Sequence, residues 1–88
     1  MATLLVSYKP TFIRRLKKLE LGVQNDAFEK IMQLKDARHH HALGVHKLHG
    51  TLAGTHAFSV NFKYRIVFQY FSKTEVVLLA IGDHEVYQ

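Results

Sequence analysis

The chain has 88 residues, with 12 Lys and Arg against 7 Asp and Glu, a formal charge of +5, no cysteine and 48% hydrophobic residues. This predicts one small domain over residues 1–88 around one core, and the missing thiols exclude a disulfide frame or thiolate metal ligation. No apolar run approaches the roughly 20 residues that span a bilayer and no charged-then-apolar signal opens the chain, so the expectation is a soluble, cytoplasmic protein without a membrane role.

Leu4, Leu5, Val6 and Tyr8 form a β-prone run that stops at Pro10. Phe12, Ile13, Leu16 and Leu19 then recur at helical spacing, with Arg14, Arg15, Lys17 and Lys18 on the other side, which predicts an amphipathic helix ending near Gly22. Asp26 and Glu29 have capping-box spacing, and Ala27, Phe28, Ile31, Met32 and Leu34 supply the apolar stripe of a second helix, starting there or as early as Val23. From Lys35 to Gly54 no period is clean, and a long basic loop is expected. Phe58, Val60 and Phe62, then Tyr64, Ile66, Phe68 and Tyr70, alternate with other residues as two strands of a hairpin; Val76 to Ile81 makes a last, largely apolar strand after a turn at Ser72 to Thr74. The expected fold is α+β, in the order β-α-α-β-β-β, with two N-terminal helices on one face of a four-stranded, mainly antiparallel sheet. The other face is expected to be polar, with Ser59, Asn61, Lys63 and Arg65 beside the basic loop.

Between Asp36 and Glu75 the sequence has no carboxylate, yet it holds Arg38, Lys47, Lys63, Arg65, Lys73 and every histidine except His84. Such a surface attracts phosphates, and increasingly so as imidazoles protonate; nucleic acid is the first partner to expect. The alternative is that these side chains only solvate a small domain. His39, His40 and His41 with His46 and His49 invite a metal site, but three adjacent histidines cannot all face one tetrahedral ion, and no cysteine or acidic ligand is at hand to complete it. The triple histidine is expected to be a solvated loop, and no metal or other cofactor is expected.

Three blocks stand out: His46-Lys47-Leu48-His49-Gly50, Lys63-Tyr64-Arg65-Ile66-Val67-Phe68 and Ile81-Gly82-Asp83-His84-Glu85-Val86-Tyr87. In this order, on this element order and length, they resemble the RelE/ParE superfamily of bacterial toxins, and within it the RelE and YafQ-like messenger RNA interferases. The resemblance spans the chain from its first strand to Tyr87. It implies the toxin of a type II toxin-antitoxin pair, cleaving mRNA at the ribosome without a metal and held inactive by a cognate antitoxin. A ParE-like toxin that inhibits DNA gyrase without cutting RNA is the alternative, because those relatives share the fold.

By the same resemblance Arg65 would clamp the scissile phosphate, His84 would be a general acid or base with His46 as its proton-transfer partner, the division between them left open, and Tyr87 would stack on a base or orient the phosphate. Metal-free cleavage needs two such proton carriers and a cation, and histidine and arginine suit those tasks. Lys47, His49 and Lys63 are expected to bind RNA phosphates, and Arg14, Arg15, Lys17 and Lys18 ribosomal RNA. Ser59 stands where YafQ-like enzymes have a further histidine and Lys63 where they have an acidic residue; His56 is near enough to substitute. Structural alternatives stay open: Arg65 lying over the sheet or pairing with Glu75, His84 bonding a backbone carbonyl, Tyr87 packing on the sheet.

Overall fold

The computed structural model describes residues 3–83, the side chain of Ala37 excepted. Strand β1 (Leu5–Tyr8) leads through extended Lys9 into helix α1 (Pro10–Lys17). Proline at the helix start sacrifices no bond, because that N–H has no partner within the helix. Phe12 and Leu16, one turn apart, are buried; Arg14, Arg15, Lys17 and Lys18 are exposed. The first three lie in the last turn, where they also favour the helix dipole.

Helix α2 (Leu21–Leu34) begins earlier than its sequence suggests. Gly22, expected to stop the first helix, lies in the first turn of the second, and Asp26, expected near its start, lies further in. The break comes at Lys18–Glu20, where Leu19 N–H bonds back to Leu16 O and the Gln24 side-chain amide donates to Leu19 O at 2.8 Å. Starting at Leu21 places Val23 on one stripe with buried Ala27, Ile31 and Leu34. Burying Ile and Leu is worth about 1.5–3 kcal/mol each, more than the roughly 1 kcal/mol cost of a helical glycine.

The sheet has five strands in the order β1-β5-β4-β3-β2, one more than expected. The added strand is β2 (His46–Lys47), two residues at the sheet edge paired antiparallel with β3 (His56–Ser59). β3 pairs with β4 (Arg65–Tyr70), β4 with β5 (Glu75–Gly82), both antiparallel, and β1 lies parallel to β5. β3 ends before Phe62, although the alternation of Phe58, Val60 and Phe62 predicts that it continues. Asn61 ends it: its side-chain oxygen accepts the N–H groups of Lys63 (2.9 Å) and Tyr64 (2.8 Å), a local turn that offers the backbone an alternative to the ladder. Phe62, 93% exposed, sits in that turn.

Both helices cover one face of the sheet, where Phe12, Leu16, Ile31 and Leu34 meet Phe58, Ile66, Phe68, Val76, Leu78 and Ile81. The opposite face is less polar than its sequence suggests. Ala57 and Val67 are buried there with Leu48, Leu79 and Ala80 packed against them, and Leu79 stands opposite a register shift between Val67 and Phe68. Ser59 and Arg65 share this outer face, whereas Asn61 and Lys63 fall in the turn. Among the described residues no helix is long and apolar enough to cross a membrane.

The loop from Lys35 to Gly54 is anchored at several points. Thr3 bridges to Asp36, and Asp36 holds Arg38 through bonds as short as 2.7 Å, which keeps its carboxyl well below the usual range. His40, expected in solvent, is part of the structure. Its Nε2 lies 2.7 Å from Leu34 O, which can only accept, so Nε2 carries a proton; in the neutral ring Nδ1 then accepts from the Tyr70 hydroxyl, also at 2.7 Å.

Candidate active site

Strand alternation sorts the expected site residues onto two faces. His46 lies opposite Ala57, and Ala57 opposite Val67; Arg65 lies opposite Ser59 and Gly82. His46, Ser59 and Arg65 therefore share the outer face, away from the helices. Two inter-strand spacings and two residues along the strand separate His46 from Arg65, a backbone distance of about 12 Å by standard sheet geometry. Ala57 and Val67 lie between them in the register.

His46 is exposed, and its Nδ1 is 3.0 Å from Gly44 O. A carbonyl accepts only, so Nδ1 carries a proton and the neutral ring presents Nε2 with a free lone pair. That tautomer can accept a proton from a ribose hydroxyl. Positive φ at Gly44 (74°) lets its carbonyl turn back under the ring two residues later.

Arg65 is half-buried and folds along its own turn, Nη1 donating to Asn61 O (2.9 Å) and Tyr64 O (3.1 Å). Its other two nitrogens bond no described residue. It does not pair with Glu75, which instead accepts from Ser7 Oγ at 3.0 Å at the other end of β5. Asp83 follows Gly82 at Arg65's end of the sheet. His84 and Tyr87 lie outside the described residues.

The remaining expected RNA contacts do not join His46 and Arg65 on one surface. Lys47 lies opposite His56, so both face the helix side of the sheet edge. With Leu48, His49, Ala53, Gly54 and Thr55 they line a cleft of about 460 Å³ where β2 runs on toward β3. Lys63 is exposed in the hairpin turn, its ammonium 5.4 Å from the centre of the Tyr64 ring. Arg14, Arg15, Lys17 and Lys18 stand on the helical layer, with the sheet between them and His46.

His56 is the residue whose setting the sequence reveals least. Its ring packs 5.7 Å from Phe68 and edge-on to Tyr70 at 4.8 Å, and its Nδ1 is buried without a hydrogen bond. Burial, and then the charges of Lys47, His46 and His40, push its pKa below the ordinary value. Strand register was the one signal that could have placed it, since His56 and Phe68 lie directly opposite each other. Among the described residues no three His, Asp or Glu side chains are grouped to hold a metal ion.

No family model matches the chain, and no curated protein matches it by sequence. Solved structures do. The RelBE2 toxin-antitoxin complex of Mycobacterium tuberculosis includes a chain that superimposes with a TM-score of 0.78 at 24% identity, over 94% of this chain and 100% of that one. The DinJ-YafQ toxin-antitoxin complex of E. coli gives 0.75 at 12% identity, over 96% of both chains. The archaeal RelE-RelB complex of Pyrococcus horikoshii gives 0.72 at 17% identity, over 92% of this chain and 94% of that one. Two helices on one face of a mostly antiparallel sheet, matched over nearly the full length, give this chain the fold of the RelE and YafQ-like toxins.

Proposed function

We propose that the chain is the toxin of a type II toxin-antitoxin pair and cleaves messenger RNA without a metal, in the decoding site of the ribosome. The observation that carries this is the shared outer face of His46 and Arg65, with His84 only two residues beyond Arg65's partner, Gly82.

In this scheme His46 Nε2 takes the proton of a ribose 2′-hydroxyl, and the 2′-oxygen attacks the adjacent phosphorus. Arg65 leaves its turn carbonyls for the phosphate and stabilises the negative charge gathering on its oxygens. The bond from phosphorus to the 5′-oxygen breaks as His84 supplies a proton to that oxygen. The products are a 2′,3′-cyclic phosphate and a 5′-hydroxyl. Tyr87 stacks on a neighbouring base, an interaction worth about 1–3 kcal/mol. The basic residues of α1 and Lys63 hold ribosomal and messenger phosphates, which supply affinity without sequence choice.

An antitoxin is the second partner, and a reducing cytoplasm the setting. The three complexes above pair such folds with antitoxins. A cationic surface of this kind complements an acidic, partly disordered inhibitor that folds as it binds. The direct test is incubation of the purified chain with programmed ribosomes in a buffer whose only divalent metal is the magnesium that the ribosome needs, followed by end-group analysis. Fragments ending in a 2′,3′-cyclic phosphate support the proposal; intact message, or fragments ending in a 3′-hydroxyl, refute it.

A further inference from the structure

We propose that the cleft where β2 runs on toward β3, walled by Lys47, His49 and His56, is a second phosphate-binding site, which holds the backbone of single-stranded RNA where it bends over the edge of the sheet. His46 and Lys47 are consecutive residues on the edge strand, with side chains directed to opposite faces. A strand crossing that edge passes from His46 to Lys47 and the cleft that it lines. The cleft volume of about 460 Å³ suits a ligand of nucleotide size.

Among the described residues its charge has no ion-pair counterpart. No carboxylate occurs between Asp36 and Glu75, Asp36 is committed to Arg38, and Glu75 lies across the sheet beside Ser7. Lys47 and His49 make no ion pair with a described residue. Among the described residues around His56 stand Lys47, His46, His40 and the rings of Phe68 and Tyr70, so a proton gained by its imidazole meets like charge and aromatic rings. Its buried Nδ1 is without a hydrogen bond. A phosphate in the cleft would offset the repulsion and give Lys47 and His49 acceptors, while Gly54, at φ 93°, turns the chain along the lining. The cleft stands on its own geometry; RNA as its ligand rests on the proposed function.

The test uses the whole chain with a short, fully 2′-O-methylated RNA, which cannot be cleaved, and with inorganic phosphate. Binding is followed by fluorescence anisotropy over a salt series and by NMR of the imidazole and Lys47 amide signals, for wild type and for the Lys47→Gln/His49→Gln double variant. Thermal melting verifies that both are folded. Expected are RNA-induced shifts at His49, His56 and Lys47, binding about tenfold weaker in the variant, and a salt slope smaller by about 0.7 for each phosphate that the variant no longer neutralises. RNA that binds with the cleft signals unmoved and with equal affinity in the variant would overturn the site, as would a cleft that takes inorganic phosphate but not RNA. If these shifts occur and wild type cuts no message, the nuclease fails and the cleft stands; if wild type cuts message while the cleft signals stay unmoved, the nuclease stands and the cleft fails.

Discussion

The Tyr70 hydroxyl donates to His40 Nδ1 at 2.7 Å, and His40 in turn donates to Leu34 O, so β4 is tied to the end of α2 through one imidazole. Tyr70→Phe removes the donor and leaves a partly enclosed nitrogen unpaired. The expected cost is about 1 kcal/mol, which in a domain this small lowers Tm by about 4–8 °C. His40→Ala removes both bonds and should lower Tm further. Thermal melting by circular dichroism reads both, and equal melting of Tyr70→Phe and wild type would show that the bond does not matter.

His56 gives stability a pH dependence of known sign. Its folded pKa lies below 6.5, chiefly through desolvation and then through Lys47, His46 and His40. Between the two pKa values the unfolded chain therefore binds more protons, and this group's contribution is complete above pH 6.5 and is lost as pH falls through the folded value. Lys47→Gln should move the His56 pKa upward. Titration of the His56 ring signal by NMR checks this, and an unchanged or lower pKa in the variant would contradict it.

Arg65→Lys retains the charge and loses the fork that can bond two phosphate oxygens at once. The expectation is a fall in the cleavage rate of about 10²–10³, the magnitude typical of losing one transition-state donor, with Tm shifted only slightly. Single-turnover cleavage beside a melting curve separates the two effects. A full-rate lysine variant would remove Arg65 from the phosphate.

Asn61→Ala deletes the acceptor for two backbone N–H groups in the β3–β4 turn. A loss of about 1–2 kcal/mol is expected, measured as a lower urea midpoint. Because Arg65 folds over this turn, its guanidinium should also gain mobility, visible as narrowing of its side-chain NMR signals. An unchanged midpoint would mean that the turn holds without Asn61.

Most of the element order was legible because strong local signals agree with the tertiary fold. Pro10 marks a helix start, Phe12 and Leu16 mark its buried face, and the apolar run from Val76 to Ile81 marks a strand beside the centre of the sheet. Three features escaped for identifiable reasons. Two residues, His46 and Lys47, have no period, so only pairing with β3 makes them a strand. Asn61 interrupts an alternation that hydrophobicity alone continues to Phe62, although asparagine as a turn former was a usable signal. Gly22 resembles a helix stop, but burial of the stripe through Ile31 and Leu34 outweighs its cost.

The candidate site was legible in part. The carboxylate-free window and its histidines were plain from composition, whereas their division between two faces depends on register. That division separates Lys47 from His46 and gives His40 and His56 structural surroundings. Nothing in a run of three histidines distinguishes the one that bonds Leu34 and Tyr70 from its neighbours.

The most direct measurement is primer extension on cellular messages after brief expression of the wild-type chain, beside Arg65→Ala and His84→Ala, with DNA supercoiling followed in the same cultures. New cuts within coding regions that disappear in both variants are the predicted result. Intact messages with growth arrest and gyrase-dependent DNA breaks would contradict it and point to a ParE-like action on the same fold.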